Sequence, residues 1–198
     1  MKTHMARPTL RTLALFAAVF AVQTLGGVVG IGTGLFALAL PLGDRPWTIV
    51  TSVYAHGGFT HLLANAVALA VVGPLVARVT TPIRFHAFFL GTGAIAAIAQ
   101  IFLTVPLGPT AVLGASGAIF ALLGYTLVGN RASEAVLAWL PIGRRGRLTL
   151  FAVVAAVLTL ATAAPGVALV AHFVGFSLGA VAGRGRILHT SREATPRQ

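Results

Sequence analysis

Apolar residues dominate six stretches of the chain, roughly 11–31, 61–78, 83–104, 114–130, 148–164 and 166–183, and polar residues gather between them. A helix that crosses a bilayer needs about 20 consecutive apolar residues. The six stretches meet that length or come near it, so the pattern predicts an all-α, polytopic membrane protein with six transmembrane helices. Residues 32–60 form a long first connection. It holds Pro41, Gly43, Asp44 and Pro46, and its apolar run from Leu35 to Leu40 is too short to cross. Trp47 and Tyr54 suit an interfacial segment there. The expected organisation is an N-terminal tail over 1–10, a membrane domain over 11–186 and a C-terminal tail over 187–198.

Composition agrees with this pattern. The chain is 57% hydrophobic and 9% charged, with a mean hydropathy of +0.93, whereas a soluble domain is about 25% charged. Its 198 residues make one domain, with no room for a separate soluble module. With no cysteine, disulfides and thiolate chemistry are excluded.

The net charge of +11 raises the question of nucleic acid, and its distribution answers it. The acids are Asp44, Glu134 and Glu193 alone. Lys2, Arg7 and Arg11 precede the first span, Arg78 and Arg84 follow the second, and Arg131, Arg144, Arg145 and Arg147 separate the fourth from the fifth. Arg184, Arg186, Arg192 and Arg197 follow the sixth. With an even number of spans all of these fall on one side, and only Arg45, beside Asp44, falls on the other. This is the signature of cytoplasmic loops rather than a basic groove, and it puts both termini in the cytoplasm. A cleavable signal peptide over 1–27 fits less well, because no clear A-x-A site ends the apolar run. The Ala-, Val-, Gly- and Arg-rich composition suggests a GC-rich prokaryotic genome and hence the cell membrane.

This topology starts the even-numbered spans on the external side and collects the unusual polar residues there. His61 and Asn65 open the second span, Ser116 the fourth, and His172 follows Gly166 in the sixth. Six residues of helix place His172 about 9 Å down. For Ser116 to meet it, the fourth helix must begin already submerged. The preceding Val105-Pro106-Leu107-Gly108-Pro109-Thr110 cannot be helical throughout, so a dipping loop is expected. Irregular backbone at that depth is tolerated only where it lines a protein-walled or watery cavity, here one open to the outside.

Polar groups inside a bilayer are costly and mark function. A serine hydroxyl attacks only when a base removes its proton, and His172 is the natural base. An acid normally orients the histidine, but no Asp or Glu lies in any span, so a Ser116–His172 dyad is expected. Phe120, four residues after Ser116, shares its helix face and is placed to pack on the imidazole. His61 and Asn65, one turn apart, can both donate hydrogen bonds. With the unpaired amides at the start of the fourth helix, they make a candidate oxyanion hole. The G-x-S-x-G elbow does not fit, since Ala118 takes its last position and no strand precedes it. No metal site is expected: H-E-x-x-H is lacking and carboxylates are too few. No cofactor is implied.

These residues resemble the rhomboid family of intramembrane serine proteases. The resemblance rests on His56-Gly57-Gly58-Phe59-Thr60-His61-Leu62-Leu63-Ala64-Asn65, on Gly114-Ala115-Ser116-Gly117, and on Ala171-His172-Phe173-Val174-Gly175 with Gly179. They match the family's H-x4-H-x3-N, G-x-S-G and A-H-x2-G-x3-G, in order, on the second, fourth and sixth spans. Each motif alone is weak; the three in order are specific. The resemblance implies a rhomboid-like bundle that cleaves transmembrane protein substrates within or beside the lipid bilayer. It implies Ser116 as nucleophile, His172 as base, and His61, Asn65 and the Ser116 amide as oxyanion hole. His56 and Trp47 would belong to a first external loop that supports the fold. Arg45 precedes Trp47, whereas many members carry a Trp-Arg pair, so that loop's bonding does not carry over. Where members often have Tyr, Phe120 keeps any stacking and loses any hydroxyl bond. The fifth span and Ala163-Ala164-Pro165-Gly166 would form a moving gate.

Other features have plainer readings. Gly175, Gly179 and Gly183 form a GxxxG run suited to close helix packing, which would bring His172 toward Ser116. Gly26, Gly30 and Gly34 share the spacing with no chemistry attached. His86 is expected to be solvated or interfacial, His4 and His189 lie in the tails, and Gln100 packs or holds catalytic water. Two rivals stand beside the protease: an inactive rhomboid-like binding or chaperone factor, which would lack the serine or the histidine, and a transporter, which would carry ionisable groups across the full depth. The substrate and the oligomeric state are not legible.

Overall fold

The computed structural model describes residues 2–108, 111–130, 133, 135, 139, 142–164 and 166–190, with side chains from Arg7 onward. Arg131, Glu134, Pro109, Thr110, Pro165, Arg192, Glu193 and Arg197, used above for topology and loops, lie outside the described residues. Seven helices are described: α1 Lys2–Val28, α2 Thr48–Thr51, α3 Phe59–Ala77, α4 Pro82–Thr104, α5 Ser116–Val128, α6 Arg144–Ala161 and α7 Leu169–Arg184. No strand occurs among the described residues. The chain is therefore an all-α, polytopic membrane fold; α1, α3 and α4 are long and apolar enough to cross alone, and α5 and α7 are shorter apolar helices.

Helix ends follow backbone bonding rather than hydropathy. The α1 helix starts at Lys2, inside the segment expected to be a tail, because polar residues at the membrane surface continue a helix as well as apolar ones. It stops at Val28, short of the expected 31. There Gly30 takes φ +79°, the Ile31 amide donates to Gly26 O at 2.8 Å and the Gly30 amide to Gly27 O at 3.2 Å, the glycine stop that satisfies last-turn carbonyls. At α4, Thr81 caps the helix by accepting from the Arg84 amide at 3.3 Å, and Pro82 follows in the first turn.

The first connection is built against the bundle. Leu38 and Val112 exchange both backbone hydrogen bonds at 2.8 Å, an isolated antiparallel bridge. Leu38, Val112, Ala97 and Ile101 form a small apolar cluster beneath it. Trp47 Nε1 donates to Leu35 O at 3.0 Å, and the Arg45 guanidinium donates to the neighbouring Gly34 O. Arg and Trp thus grip one turn, Thr33–Leu35, although their order in the chain departs from the family's pair.

The main core gathers Phe16, Leu69, Val76, Phe85, Phe89, Leu122 and Tyr125 from α1, α3, α4 and α5. The α5 helix is central and touches α3, α4 and α7. Its contact with α7 is the most intimate. A methyl built on Gly175 would lie 2.1 Å from Gly117 O, and one on Gly179 would lie 1.9 Å from Ala121 O. Only hydrogen side chains let these backbones meet.

The segment after α7 does not leave the bundle at 187, where a tail was expected. Leu188 is buried in the core, Tyr125 OH accepts from the Leu188 amide at 3.2 Å and lies 2.7 Å from His189 Nδ1, and the Thr190 amide donates to Val79 O at 3.1 Å. The Tyr125 hydroxyl deep at that end needs partners, and the returning chain provides them.

Candidate active site

At 13 residues, α5 spans about 20 Å of rise, well short of the roughly 30 Å hydrocarbon core. It begins at Ser116 after irregular chain walled by the first connection. The Gly114 amide donates to Ser52 O at 2.8 Å. Gly114 has φ +129°, and a methyl there would sit 2.7 Å from His61 Cε1 and 2.9 Å from Nε2. The glycine before Ser116 is thus required twice, by conformation and by the His61 ring pressed on it. Ser116 is half-buried, and among the described residues its hydroxyl has no hydrogen-bond partner.

His172 lies three residues after the start of α7, which begins at Leu169 rather than near 166. It therefore sits about one turn in, not two. It is 5% exposed. Phe120 of α5 stacks on its imidazole, with ring centroids 4.3 Å apart and planes 13° from parallel. Its Nδ1 lies 2.9 Å from the Thr162 hydroxyl at the end of α6. The Ala171 amide, unpaired within the first turn of α7, donates to Gln100 Oε1 of α4 at 3.0 Å. Gln100 therefore fastens α7 to α4.

On α3, His61 and Asn65 fall one turn apart. Asn65 is 5% exposed and its Nδ2 donates to His61 O at 2.9 Å. The Gly57 amide donates to His61 Nδ1 at 3.4 Å. His56 is 1% exposed. Its ring lies edge-on to Phe16 at 4.8 Å and to His61 at 5.2 Å, and neither ring nitrogen has a hydrogen-bond partner among the described residues. Gln23 of α1 clasps its backbone: the His56 amide donates to Gln23 Oε1 at 3.0 Å, and Gln23 Nε2 donates to His56 O at 3.2 Å.

Phe120 and His172 thus meet where α5 packs on α7, with Ser116 one turn before Phe120 at the start of α5, His61 against Gly114 and His56 against His61. Gly117 and Gly175 set the helix approach there, and Gly179 sets it one turn on. Gln23 and Thr162 escaped the sequence reading. The signal for Gln23 was a lone amide in an apolar span, where polar side chains usually bond across helices. Thr162 carried no signal, since threonine in apolar helices commonly bonds its own backbone. His86, expected at the interface, is half-buried with Nδ1 3.5 Å from the Thr12 hydroxyl. No group of three or more metal-ligating side chains occurs among the described residues.

A family profile described as Rhomboid domain matches residues 43–188, from the first connection through the returning segment after α7. The chain is 40% identical over 81 residues to the putative rhomboid protease YdcA of Bacillus subtilis, covering 41% of this chain and 40% of that protein. It is 32% identical over 165 residues to RHOMBOID-like protein 4 of Arabidopsis thaliana, covering 82% of this chain and 38% of the plant protein. It is 36% identical over 88 residues to the rhomboid protease GluP of Bacillus subtilis, covering 43% of this chain and 17% of GluP. The chain spans about two-fifths or less of the length of these curated relatives. The profile covers well over half of the chain, including every residue of the three polar motifs, and the chain belongs to the rhomboid family.

Proposed function

We propose that this protein is an intramembrane serine endopeptidase in which Ser116 is the nucleophile and His172 the base. The observation that carries the reading is the Phe120–His172 stack, centroids 4.3 Å apart. Phe120 lies one turn beyond Ser116 on α5, so a stack on His172 holds the imidazole at the end of the helix where the hydroxyl sits. The backbone contact of Gly175 with Gly117 supports the same register.

In the reaction Ser116 Oγ forms a bond to the carbonyl carbon of the scissile peptide, and its proton passes to His172 Nε2. The carbonyl π electrons move onto oxygen. The Ser116 and Gly117 amides, unpaired within the first turn of α5, are available to that oxyanion, and the positive end of α5 favours negative charge there. His61 is suited to donate as well. Its Nδ1 accepts from the Gly57 amide, so the neutral ring carries its proton on Nε2, the atom facing Gly114. Asn65 Nδ2 has two hydrogens and gives one to His61 O, leaving one for the oxyanion. Collapse breaks the C–N bond as His172 returns the proton to the leaving amine. Water then attacks the acyl ester, His172 takes its proton, and Ser116 Oγ leaves and is reprotonated.

Substrates are membrane-anchored proteins whose helix unwinds locally, because a regular helix shields its carbonyls from attack. The charge pattern of the loops supports a topology with both termini in the cytoplasm and the site opening on the opposite side. The test compares purified wild type with Ser116→Ala in liposomes, on a single-span substrate, with products read by mass spectrometry. Cleavage by wild type alone supports the reading. Equal cleavage by both defeats it. If neither cleaves, fluorophosphonate labelling of Ser116 in wild type separates an active enzyme given the wrong substrate from an inactive binding factor.

A further inference from the structure

We propose that Thr162 is the positioning residue of His172 and fixes its tautomer, the task an acid performs in a three-residue catalytic set. The proposal rests on the Ser116–His172 reading above. No carboxylate occurs in any of α3 to α7 among the described residues, and the one external acid, Asp44, lines a small cavity of about 100 Å³ in the first connection together with Arg45 and Thr48. Thr162 stands at the end of α6, and two distances define its hydroxyl. Oγ1 lies 2.8 Å from Thr159 O and 2.9 Å from His172 Nδ1.

A carbonyl oxygen only accepts, and a hydroxyl has one hydrogen. The Thr162 hydrogen therefore points at Thr159 O, and what faces the imidazole is a lone pair. Nδ1 must be the protonated nitrogen. In the neutral ring the free lone pair then resides on Nε2, the atom that has to receive the serine proton. Phe120 fixes the plane of the imidazole by stacking, and Thr162 fixes its rotation within that plane. Thr162 is exposed while His172 is buried, so the bond closes the rim of the site from α6, a helix that otherwise packs on α7.

The test uses the full chain in detergent with Thr162→Val, which keeps the shape and removes the hydroxyl, and Thr162→Ser, which keeps the hydroxyl. Two readouts are taken. The first is kcat and KM on a single-span substrate, with Ser116→Ala as the blank. Thr162→Val is expected to lower kcat about tenfold, near the upper range for one neutral hydrogen bond, with KM unchanged, and Thr162→Ser to restore it to within about threefold. The second is the 15N spectrum of the His172 ring, assigned by its loss in His172→Asn. Wild type is expected to show the Nδ1–H tautomer, and Thr162→Val a mixture. An Nε2–H tautomer in wild type overturns the proposal, as does Thr162→Val with unchanged kcat and spectrum. Should Thr162→Val fail to fold, Thr162→Ser and the wild-type spectrum decide. If Ser116→Ala cleaves like wild type, the protease reading falls, and the spectrum still reports whether Thr162 sets the imidazole.

Discussion

The Phe120 ring lies over the His172 imidazole, 4.3 Å between centroids and 13° from parallel. Phe120 brings no polar atom to that contact, so its effect is orientation and exclusion of water. An aromatic pair contributes about 0.5–1.5 kcal/mol beyond area burial. Phe120→Leu is therefore expected to lower kcat by about 2–10-fold with little change in KM, and Phe120→Tyr to keep the rate. Steady-state kinetics on a single-span substrate checks this. A Phe120→Leu enzyme with wild-type kcat would mean the stack does not hold the base.

The α5–α7 contact sets a second expectation. A methyl at Gly175 would meet Gly117 O at 2.1 Å, and one at Gly179 would meet Ala121 O at 1.9 Å, whereas a methyl at Gly91 on α4 meets nothing within 4 Å. Backbone cannot give way as a flexible side chain can, so Gly175→Ala must push the helices apart, at a cost of about 1–3 kcal/mol or more. It is expected to lower Tm and to lose most activity, because the separation carries His172 away from Ser116. Gly91→Ala is expected to hold or raise Tm, since alanine is the better helix former by about 1 kcal/mol. Thermal unfolding of the two variants in one detergent decides. Equal Tm values would contradict the close contact.

How much of this was legible in the chain follows from what each feature depends on. The helices were legible because a bilayer demands apolar length. The cluster of Ser116, His61, Asn65 and His172 at one end was legible because topology alone puts those positions together. Helix ends were not, because they are set by hydrogen bonding: the Gly30 stop and the start of α7 at Leu169 leave no mark in hydropathy. Nor could the inward face of α3 be found. Phe59, Leu63, Val67 and Val71 are exposed, and Leu69, Val72 and Val76 are buried, yet both sets are apolar because lipid and core are chemically alike. The packing of Leu188 and His189 against Tyr125 depends on a hydroxyl 63 residues away. Thr162 looks like any threonine near a helix end.

Gln23 ties α1 to the chain just ahead of the site. Its amide satisfies both the N–H and the C=O of His56, groups that are buried with the rest of that residue. Gln23→Leu would leave both unpaired, and each orphaned buried group costs about 1–3 kcal/mol. A fall in Tm on the order of 10 °C is expected for a protein of this size. Cleavage should fall as well, because His56 packs on His61 and Gly57 bonds to it. Differential scanning fluorimetry with a cleavage assay at 20 °C separates the effects. A variant with wild-type Tm would show that α1 holds the bundle without this clasp.

His56 gives the fold a pH dependence of definite sign. Burial, with the neighbouring His61 imidazole adding to it and the nearby Tyr54 backbone carbonyl opposing, pushes His56 down from 6.5 to about 4. The folded state therefore holds it neutral where the unfolded chain protonates it. Above pH 6.5 both states are neutral and the group contributes no slope. As pH falls from 6.5 toward 4 the unfolded state binds the extra proton, so stability drops, and below 4 the loss levels off. His56→Leu removes this titration while filling similar space beside Phe16. Every other group is common to both proteins, so their difference isolates His56. The Tm of His56→Leu minus that of wild type is expected to be flat from pH 8 to 6.5 and to rise steadily in the variant's favour between 6.5 and 4. A difference that stays constant across that window would mean that His56 takes up its proton within the folded protein as readily as in the unfolded chain.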